Sequence, residues 1–187
     1  DCRDLIGLGI ARDADQMFVP GSDFYNPDVV QQGDDPAAAA ALSAQYCADV
    51  PDGCSDGRID VEFQFPAAGV VGARQADILD QGWSAAFNVN FDELAQDQHI
   101  VQTVLGQYQA TLWRGFGSLE PATNRQTLMC RTIGEGISLN GTRFCSEERD
   151  DLILDAQAQP DKADRAANWQ AVVQDMNDAS TRIFLVH

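Results

Sequence analysis

Between residues 59 and 113 the sequence switches repeatedly between the apolar period of a strand and that of a helix. Ile59 to Phe65, Phe87 to Phe91 and Tyr108 to Trp113 alternate apolar and polar residues with the period of two that is typical of β-strands. Val70 to Leu79 and His99 to Leu105 lie between them and carry apolar residues at helical spacing. Strands separated by helices of this length predict an α/β layer with parallel neighbours and right-handed crossovers.

The last of these strands leads into a glycine-rich loop that is the strongest candidate for a binding site. Ligands of α/β sheets bind beyond the carboxyl ends of strands, where an aromatic ring, an arginine and a flexible backbone provide suitable contacts. The predicted ligand-binding residues are Trp113, Arg114, Gly115, Phe116 and Gly117. The alternative is that Trp113 is a core residue and that the loop merely turns the chain.

The chain before this layer is predicted to form a helix, an extended connector and a second helix. Asp4 to Phe18 carries apolar residues at helical spacing, and residues 18–33 form an extended connector rich in turn residues. Asp35 as the N-cap and Pro36 at the first helical position predict the start of an alanine-rich helix. Further along, Gly82 is predicted to cap the carboxyl end of the helix that begins at Val70.

The segments after the layer predict a long irregular stretch and two helices. Residues 120–144 lack a sustained period, whereas Ser146 is placed to cap a helix that runs through Ala158. A last helix is predicted over Asp161 to Ala179, followed by a short apolar strand over Ile183 to Val186. The apolar face of the last helix comprises Ala166, Trp169, Val172, Val173 and Met176.

The five cysteines predict two local disulfides. Cys47 and Cys54 bracket a turn-rich hexapeptide, and Cys130 and Cys145 bracket a loop that contains glycine and asparagine. Neither pair has the spacing of a zinc site, and no metal or cofactor is predicted. Disulfides indicate an oxidising compartment. Cys2 is left over, either as a buried thiol or with a partner outside this chain.

The net charge of −17, with Lys162 as the only lysine, argues against binding to nucleic acid or to anionic lipid. A solvated acidic surface explains this charge, and an acidic patch for a cationic ligand is the alternative. No apolar run is long enough to span a membrane. We interpret the chain as a mature or excised segment whose targeting information lies outside it.

No arrangement of residues typical of an enzyme is visible. The two histidines do not form a nucleophilic triad with a serine or cysteine, and no phosphate-binding glycine motif precedes a helix. The acidic pairs at residues 34–35, 147–148 and 150–151 each lie near a predicted helix start, where capping explains them. Asn140-Gly141-Thr142 matches a glycosylation sequon.

The order of several motifs resembles the carboxy-terminal half of a family 5 extracellular solute-binding protein, of the oligopeptide, dipeptide and nickel-binding type. LIGLGIARDAD resembles the family's "AIAYAIDREA" helix, and Asp35-Pro36 with its alanine helix resembles "yDPekAkaLL". Trp113 to Pro121 resembles "gW.aDy.DP", and Phe144 to Leu152 resembles "Y.NpevDaLi", with Asp150 at the aspartate. Arg165 and the following Asn168-Trp169 resemble "R..lY.eaq".

This resemblance implies an α/β fold, with residues 1–187 as one lobe of a two-lobe, type II periplasmic-binding-protein fold that has a mixed sheet flanked by helices. Residues 1–58 would be a helical and connector lead-in, and residues 59–187 the α/β core. It further implies a non-catalytic, extracytoplasmic receptor, periplasmic or at the cell surface and lipid-anchored through a segment not present here. The implied partners are a small-molecule or peptide ligand, ABC permease subunits and the missing second lobe.

The chain departs from the family pattern at the ligand site. Ala11 stands where the family has Asp, and the loop from Trp113 to the Glu120-Pro121 pair is one residue longer. Phe116 occupies the position of the aspartate that holds a peptide's α-amino group, and its ring offers a cation–π contact in place of an ion pair. The alternatives to a transport receptor are a secreted acidic hydrolase and a signalling or structural module on the same fold.

Overall fold

The computed structural model describes residues 12–67, 69–115 and 120–187, without the side chains of Val70 and Val71. These residues divide into two compact units. The first, which we call the sheet unit, comprises the described residues of Gln32–Thr103 and Gln107–Trp113. The second, the helical unit, comprises Arg12–Gln31, Val104–Gly106 and the described residues of Arg114–His187. A single lobe over 1–187, divided at residue 58, stays a prediction.

The sheet unit contains a mixed sheet built around one long central strand. Its strands are β1 (Cys54–Ser55), β2 (Arg58–Pro66), β3 (Phe87–Leu94) and β4 (Ala110–Thr111). On one edge of β2, strand β3 pairs in parallel over the whole length, from Ile59 opposite Phe87 to Pro66 opposite Leu94. The short strands β1, antiparallel, and β4, parallel, also pair with β2. The predicted parallel pairing of neighbouring strands is therefore confirmed, with an added antiparallel edge strand.

Three helices connect or precede these strands: α1 (Pro36–Asp49), α2 (Val70–Trp83) and α3 (Gln96–Leu105), the last two residues of α3 being counted with the helical unit. The predicted start of α1 is confirmed, because the side chain of Asp35 accepts the hydrogen bond of Ala38 N. The prediction that Gly82 is a C-cap is wrong. Helix α2 continues to Trp83 and the cap is Ser84, whose N–H reaches Asp80 O.

Aromatic rings fill the interface between α2 and one face of the sheet. The side chains of Phe63 and Phe91 lie on the same face of the parallel pair, with ring centroids 5.6 Å apart. Trp83 of α2 contacts Phe63 edge-on at the same distance of 5.6 Å. The alternating residues of β2 and β3 thus supply one aromatic face, buried at Phe63 and half-buried at Phe91, as their period predicts.

The helical unit is organised around α4 (Glu147–Ala158) and α5 (Lys162–Asp178). Ser146 and Asp161 cap these helices by accepting backbone N–H groups of their first turns, as predicted for Ser146. Two short 3₁₀ helices, Pro121–Thr127 and Cys130–Thr132, interrupt the irregular stretch before α4. The five residues predicted for the apolar face of the last helix are all buried.

Two predictions fail in the described residues of the helical unit. Of the predicted helix Asp4 to Phe18, the part that the structure describes is not helical, because the side chain of Gln16 bonds to both backbone groups of Asn26 and holds a bent chain. The predicted strand at Ile183 to Val186 is reduced to a single antiparallel bridge between Val186 and Asp13.

One arginine connects the end of α3 to the loop around residue 135. The guanidinium of Arg143 donates to the carbonyl oxygens of Val104, Gly134 and Gly136 at 2.6–3.2 Å. Gly106 follows the helix with a φ of +70°, and a Cβ there would collide with the Arg143 side chain. A glycine at 106 is therefore required both by the backbone angle and by the approach of Arg143.

Both predicted disulfides are present, Cys47–Cys54 and Cys130–Cys145. The first joins the end of α1 to β1, and the second closes the loop between the 3₁₀ helices and α4. Cys2 lies outside the described residues. Within the described residues, no helix combines the length and the apolar character needed to cross a membrane.

Candidate functional site

Strand β4 ends two residues before Trp113, so the predicted strand Tyr108 to Trp113 is too long. Ala110 and Thr111 pair with Phe63 and Gln64, and the N–H of Leu112 donates to Gln64 O at 2.9 Å. The next residue of β2 that faces this edge is Pro66, which has no N–H to continue the ladder. The chain therefore leaves the sheet at Leu112, and Trp113 stands beyond the carboxyl end of the strand.

Trp113 is not a core residue, because 48% of its surface is exposed. Its indole stacks on the imidazole of His99, with ring centroids 5.7 Å apart and an interplanar angle of 29°. Ring stacking of this kind adds about 0.5–1.5 kcal/mol to the burial of the contact area. The indole is thus supported by a second ring and still accessible to solvent.

His99 lies in the first turn of α3 and is almost completely buried, with 1% of its surface exposed. Its Nε2 lies 2.9 Å from the hydroxyl of Thr111, and that hydroxyl lies 3.2 Å from Gln64 O. The Thr111 hydroxyl donates its one proton to the carbonyl, so it accepts the second bond. His99 therefore carries its proton on Nε2 and donates it to Thr111.

Burial lowers the pKa of His99 from its ordinary value, and the carbonyl of Leu112 opposes this effect without cancelling it. The Nδ1 atom is buried without a hydrogen-bond partner among the described residues. The imidazole is therefore neutral at neutral pH, and the contact with Trp113 is a stack of two neutral rings. No sequence motif marks His99 for this role, since its neighbours in α3 show only helical periodicity.

The other predicted site residues are exposed or outside the described part of the chain. Arg114 and Gly115 are exposed, and an added Cβ at Gly115 would meet no described atom within 4 Å. Phe116 and Gly117 lie outside the described residues. The boundary between the two units falls between Trp113 and Arg114. A ligand-binding role for these five residues stays a prediction.

A concavity of about 600 Å³ is lined by residues of β2 and β3 together with Asp80, Ser84 and Gln109. Asp60 lines it and accepts hydrogen bonds from Ser55 at 2.7 Å and from Asn88 at 2.9 Å. These two bonds, led by Ser55, lower the pKa of Asp60. A carboxyl group with a lowered pKa stays ionised at neutral pH and is a poor proton donor, so Asp60 is unsuited to be the general acid that glycoside hydrolysis requires.

The acidic pairs of the sequence do not line that concavity. Asp35 caps α1, and Glu147, Glu148 and Asp150 lie in the first turn of α4. Asp150 also accepts the N–H of Cys130 at 2.9 Å, which attaches the disulfide loop to the helix. These contacts account for the acidic residues as structural groups. Within the described residues, no cluster of histidine, cysteine and carboxylate side chains is suited to a metal ion.

The glycosylation sequon is not accessible in the folded protein. Asn140 is 1% exposed, and its amide donates to Met129 O at 3.2 Å and to Phe144 O at 3.1 Å. Its side-chain oxygen accepts the Thr142 hydroxyl at 2.9 Å. Asn140 is therefore a structural residue of the loop that the Cys130–Cys145 disulfide closes.

The backbone is similar to solved structures of ABC-transporter binding proteins. The periplasmic binding protein DppA from Helicobacter pylori, in complex with the peptide STSA, is 18% identical with a TM-score of 0.82, over 98% of this chain and 35% of that chain. The dipeptide-binding protein of Pseudoalteromonas sp. SM9913, in complex with Met-Leu, is 16% identical with a TM-score of 0.80, over 100% of this chain and 36% of that chain. The PBP AgaA from A. tumefaciens R10, in complex with agropinic acid, is 17% identical with a TM-score of 0.78, over 98% of this chain and 37% of that chain.

No protein-family model and no curated protein matches the sequence. The chain spans about a third of the length of the three binding proteins. It therefore has the α/β fold of one part of an ABC-transporter solute-binding protein, with a mixed sheet and flanking helices, which confirms the resemblance to family 5 at the level of the fold.

Proposed function

We propose that this chain is the ligand-binding lobe of an extracytoplasmic solute receptor that serves an ABC importer and has no catalytic activity. The observation that carries the proposal is the half-exposed indole of Trp113, held by His99 just beyond the carboxyl end of β4. An aromatic ring kept partly in solvent by a buried ring is suited to contact a ligand rather than to fill a core.

The roles of the loop residues follow from their chemistry. Trp113 packs against the ligand, while Arg114 and Phe116 set its preferred charge and shape. The backbone groups of Gly115 and Gly117 donate and accept hydrogen bonds without a side chain in the way. An exposed Arg114 favours a ligand with a carboxylate or another acidic group near the indole.

The proposed ligand is a peptide or another small solute. Two of the similar structures contain peptides and one contains agropinic acid. In this proposal a second lobe, supplied by the rest of the protein, closes over the ligand, and the permease recognises the closed form. The two disulfides support a compartment outside the cytoplasm.

Tryptophan fluorescence of the intact protein provides the test, during titration with peptides, sugars, polyamines, agropinic acid and metal chelates. Trp113 is the most exposed of the three tryptophans, since Trp169 is buried and Trp83 is half-buried against Phe63 and Phe87, and comparison with the Trp113→Ala variant assigns the fluorescence change to Trp113. Burial of a large apolar side chain contributes about 1.5–3 kcal/mol, so Trp113→Ala is expected to weaken binding about ten- to a hundredfold.

The matched control is Ile100→Ala, which removes a partly exposed apolar side chain of the same unit that is not one of the proposed site residues. We expect the control to bind like the wild type. Failure to find saturable binding across the whole panel, or equal affinities of the Trp113→Ala variant and the wild type, contradicts the proposal.

A further inference from the structure

A small cavity of about 230 Å³ lies on the surface of the helical unit, beside the two 3₁₀ helices that precede α4. Arg125 and Gln126 contribute to it from the first of these helices, and Arg131 and Thr132 from the second. Its remaining lining residue is Met129, whose side chain is completely buried. The cavity thus combines an apolar base with four polar side chains, two of them cationic.

The two arginines of this cavity have no ion-pair partner in the part of the chain that the structure describes. None of the ion pairs within the described residues includes Arg125 or Arg131. Among the described residues, the side chain of Arg125 bonds to the neutral Gln157 at 3.3 Å, and no carboxylate is among the residues that line the cavity. In a chain with 29 acidic and 12 basic residues, two arginines that line one cavity and have no carboxylate partner among the described residues require an explanation.

The backbone that carries the two arginines is held in place by buried contacts. Met129 N donates to Arg125 O at 3.0 Å, and Met129 O accepts both the Thr132 hydroxyl and the Asn140 amide. Cys130 is fixed by its disulfide and by the Asp150 carboxylate. The spacing of the arginine backbones is therefore set before any ligand arrives, which lowers the entropic cost of binding.

The size of the cavity limits the occupant. Its volume of about 230 Å³ lies below the range of roughly 300–1,000 Å³ that is typical of pockets for larger ligands. A guanidinium group binds planar and tetrahedral oxyanions through two parallel N–H···O bonds, and Arg is the residue best suited to that geometry. The chemistry and the volume together select a compact oxyanion.

We propose that the Arg125–Arg131 cavity binds a compact oxyanion, either phosphate or the carboxylate group of a small acid. The two guanidinium groups hold its oxygens, and the Gln126 amide adds a neutral donor. This site is independent of the solute-binding role proposed for Trp113, because it uses none of the same residues.

The proposal is tested by titrating the intact protein with sodium phosphate, sodium sulfate and sodium succinate, each against sodium chloride at equal ionic strength. The thermal unfolding midpoint and calorimetric titration are the measurements. We expect at least one oxyanion to raise the midpoint above the chloride reference with saturation. The order of phosphate, sulfate and succinate then distinguishes a tetrahedral anion from a carboxylate.

Variants distinguish this site from general charge screening. A hydrogen bond to a charged group contributes about 1.5–3 kcal/mol, so Arg125→Gln and Arg131→Gln are each expected to weaken binding about tenfold or more. Arg74→Gln is the matched control, since Arg74 is exposed in α2 and does not line the cavity. Equal oxyanion effects in all variants, or none beyond chloride in the wild type, overturn the proposal.

Discussion

Replacement of His99 by alanine tests whether the buried imidazole holds Trp113 in place. The substitution removes the hydrogen bond to Thr111, about 1 kcal/mol, and the ring stack, about 0.5–1.5 kcal/mol. It also leaves a cavity, because His99 is 1% exposed, and large-to-small substitutions of buried rings cost about 3–5 kcal/mol in all. We take about 3 kcal/mol as the expected loss in the free energy of unfolding, since Thr111 keeps its bond to Gln64 O.

The measurements are urea unfolding and quenching of tryptophan fluorescence by acrylamide. We expect the midpoint to fall and the quenching constant of Trp113 to rise, since the indole loses the ring against which it stacks. His99→Phe serves as the comparison, because it keeps a ring beside the indole but loses the bond to Thr111. An alanine variant within about 0.5 kcal/mol of the wild type, with unchanged quenching, refutes the assigned role of His99.

Three further predictions concern the pH dependence, a disulfide and the buried amide. Because the pKa of His99 is lowered in the folded state, the unfolded state binds more protons below about pH 6.5. The free energy of unfolding therefore falls as the pH falls. Urea unfolding at several pH values should show that His99→Phe loses less stability than the wild type over the same pH range. Removal of the Cys47–Cys54 disulfide by a double Cys→Ser substitution is expected to cost about 2.5 kcal/mol for so short a loop, measured by thermal unfolding under non-reducing conditions; an unchanged midpoint contradicts this. Asn140→Ala removes the two hydrogen bonds that the amide donates to Met129 O and Phe144 O, although the Thr132 hydroxyl still donates to Met129 O, and it is expected to cost about 2 kcal/mol, whereas Asn124→Ala, at a partly exposed position, should cost less; equal losses contradict the structural role of Asn140.

Local signals in the sequence account for most of the regular elements. Asp35 and Ser146 are helix caps whose side chains satisfy the first-turn N–H groups, and this chemistry depends only on neighbouring residues. The apolar face of α5 follows from its 3.6-residue period, and all five predicted residues are buried. The strand period of β2 and β3 likewise identifies the aromatic side of the sheet.

The errors arise where distant residues compete for the backbone. The strand at Tyr108 to Trp113 has a good period, but its partner strand offers only a short edge: the side chain of Gln109 takes the N–H of Glu62 at 2.7 Å, and Pro66 has no N–H. Residues 12–18 are bent because Gln16 bonds to Asn26, which lies well outside one helical turn. Neither competition is visible in a local window of sequence.

The candidate site was predictable only in part. An aromatic residue at a strand end followed by glycines identified Trp113, which the structure places half in solvent. The support beneath it was not predictable, because His99 becomes its neighbour only when α3 folds back along the strand. A single histidine in an amphipathic helix has no pattern that distinguishes a support of this kind from a core residue.

The contact between Gly106 and Arg143 has a consequence for anyone who redesigns this chain. Any side chain introduced at 106 displaces the Arg143 guanidinium, which then loses its hydrogen bonds to the three carbonyl groups. A substitution at the end of α3 therefore also alters the loop around residue 135, which is distant in sequence. The two positions are expected to covary, so homologues that lack the glycine are expected to lack the arginine as well. A mutagenesis library that varies one of the two positions should therefore vary both.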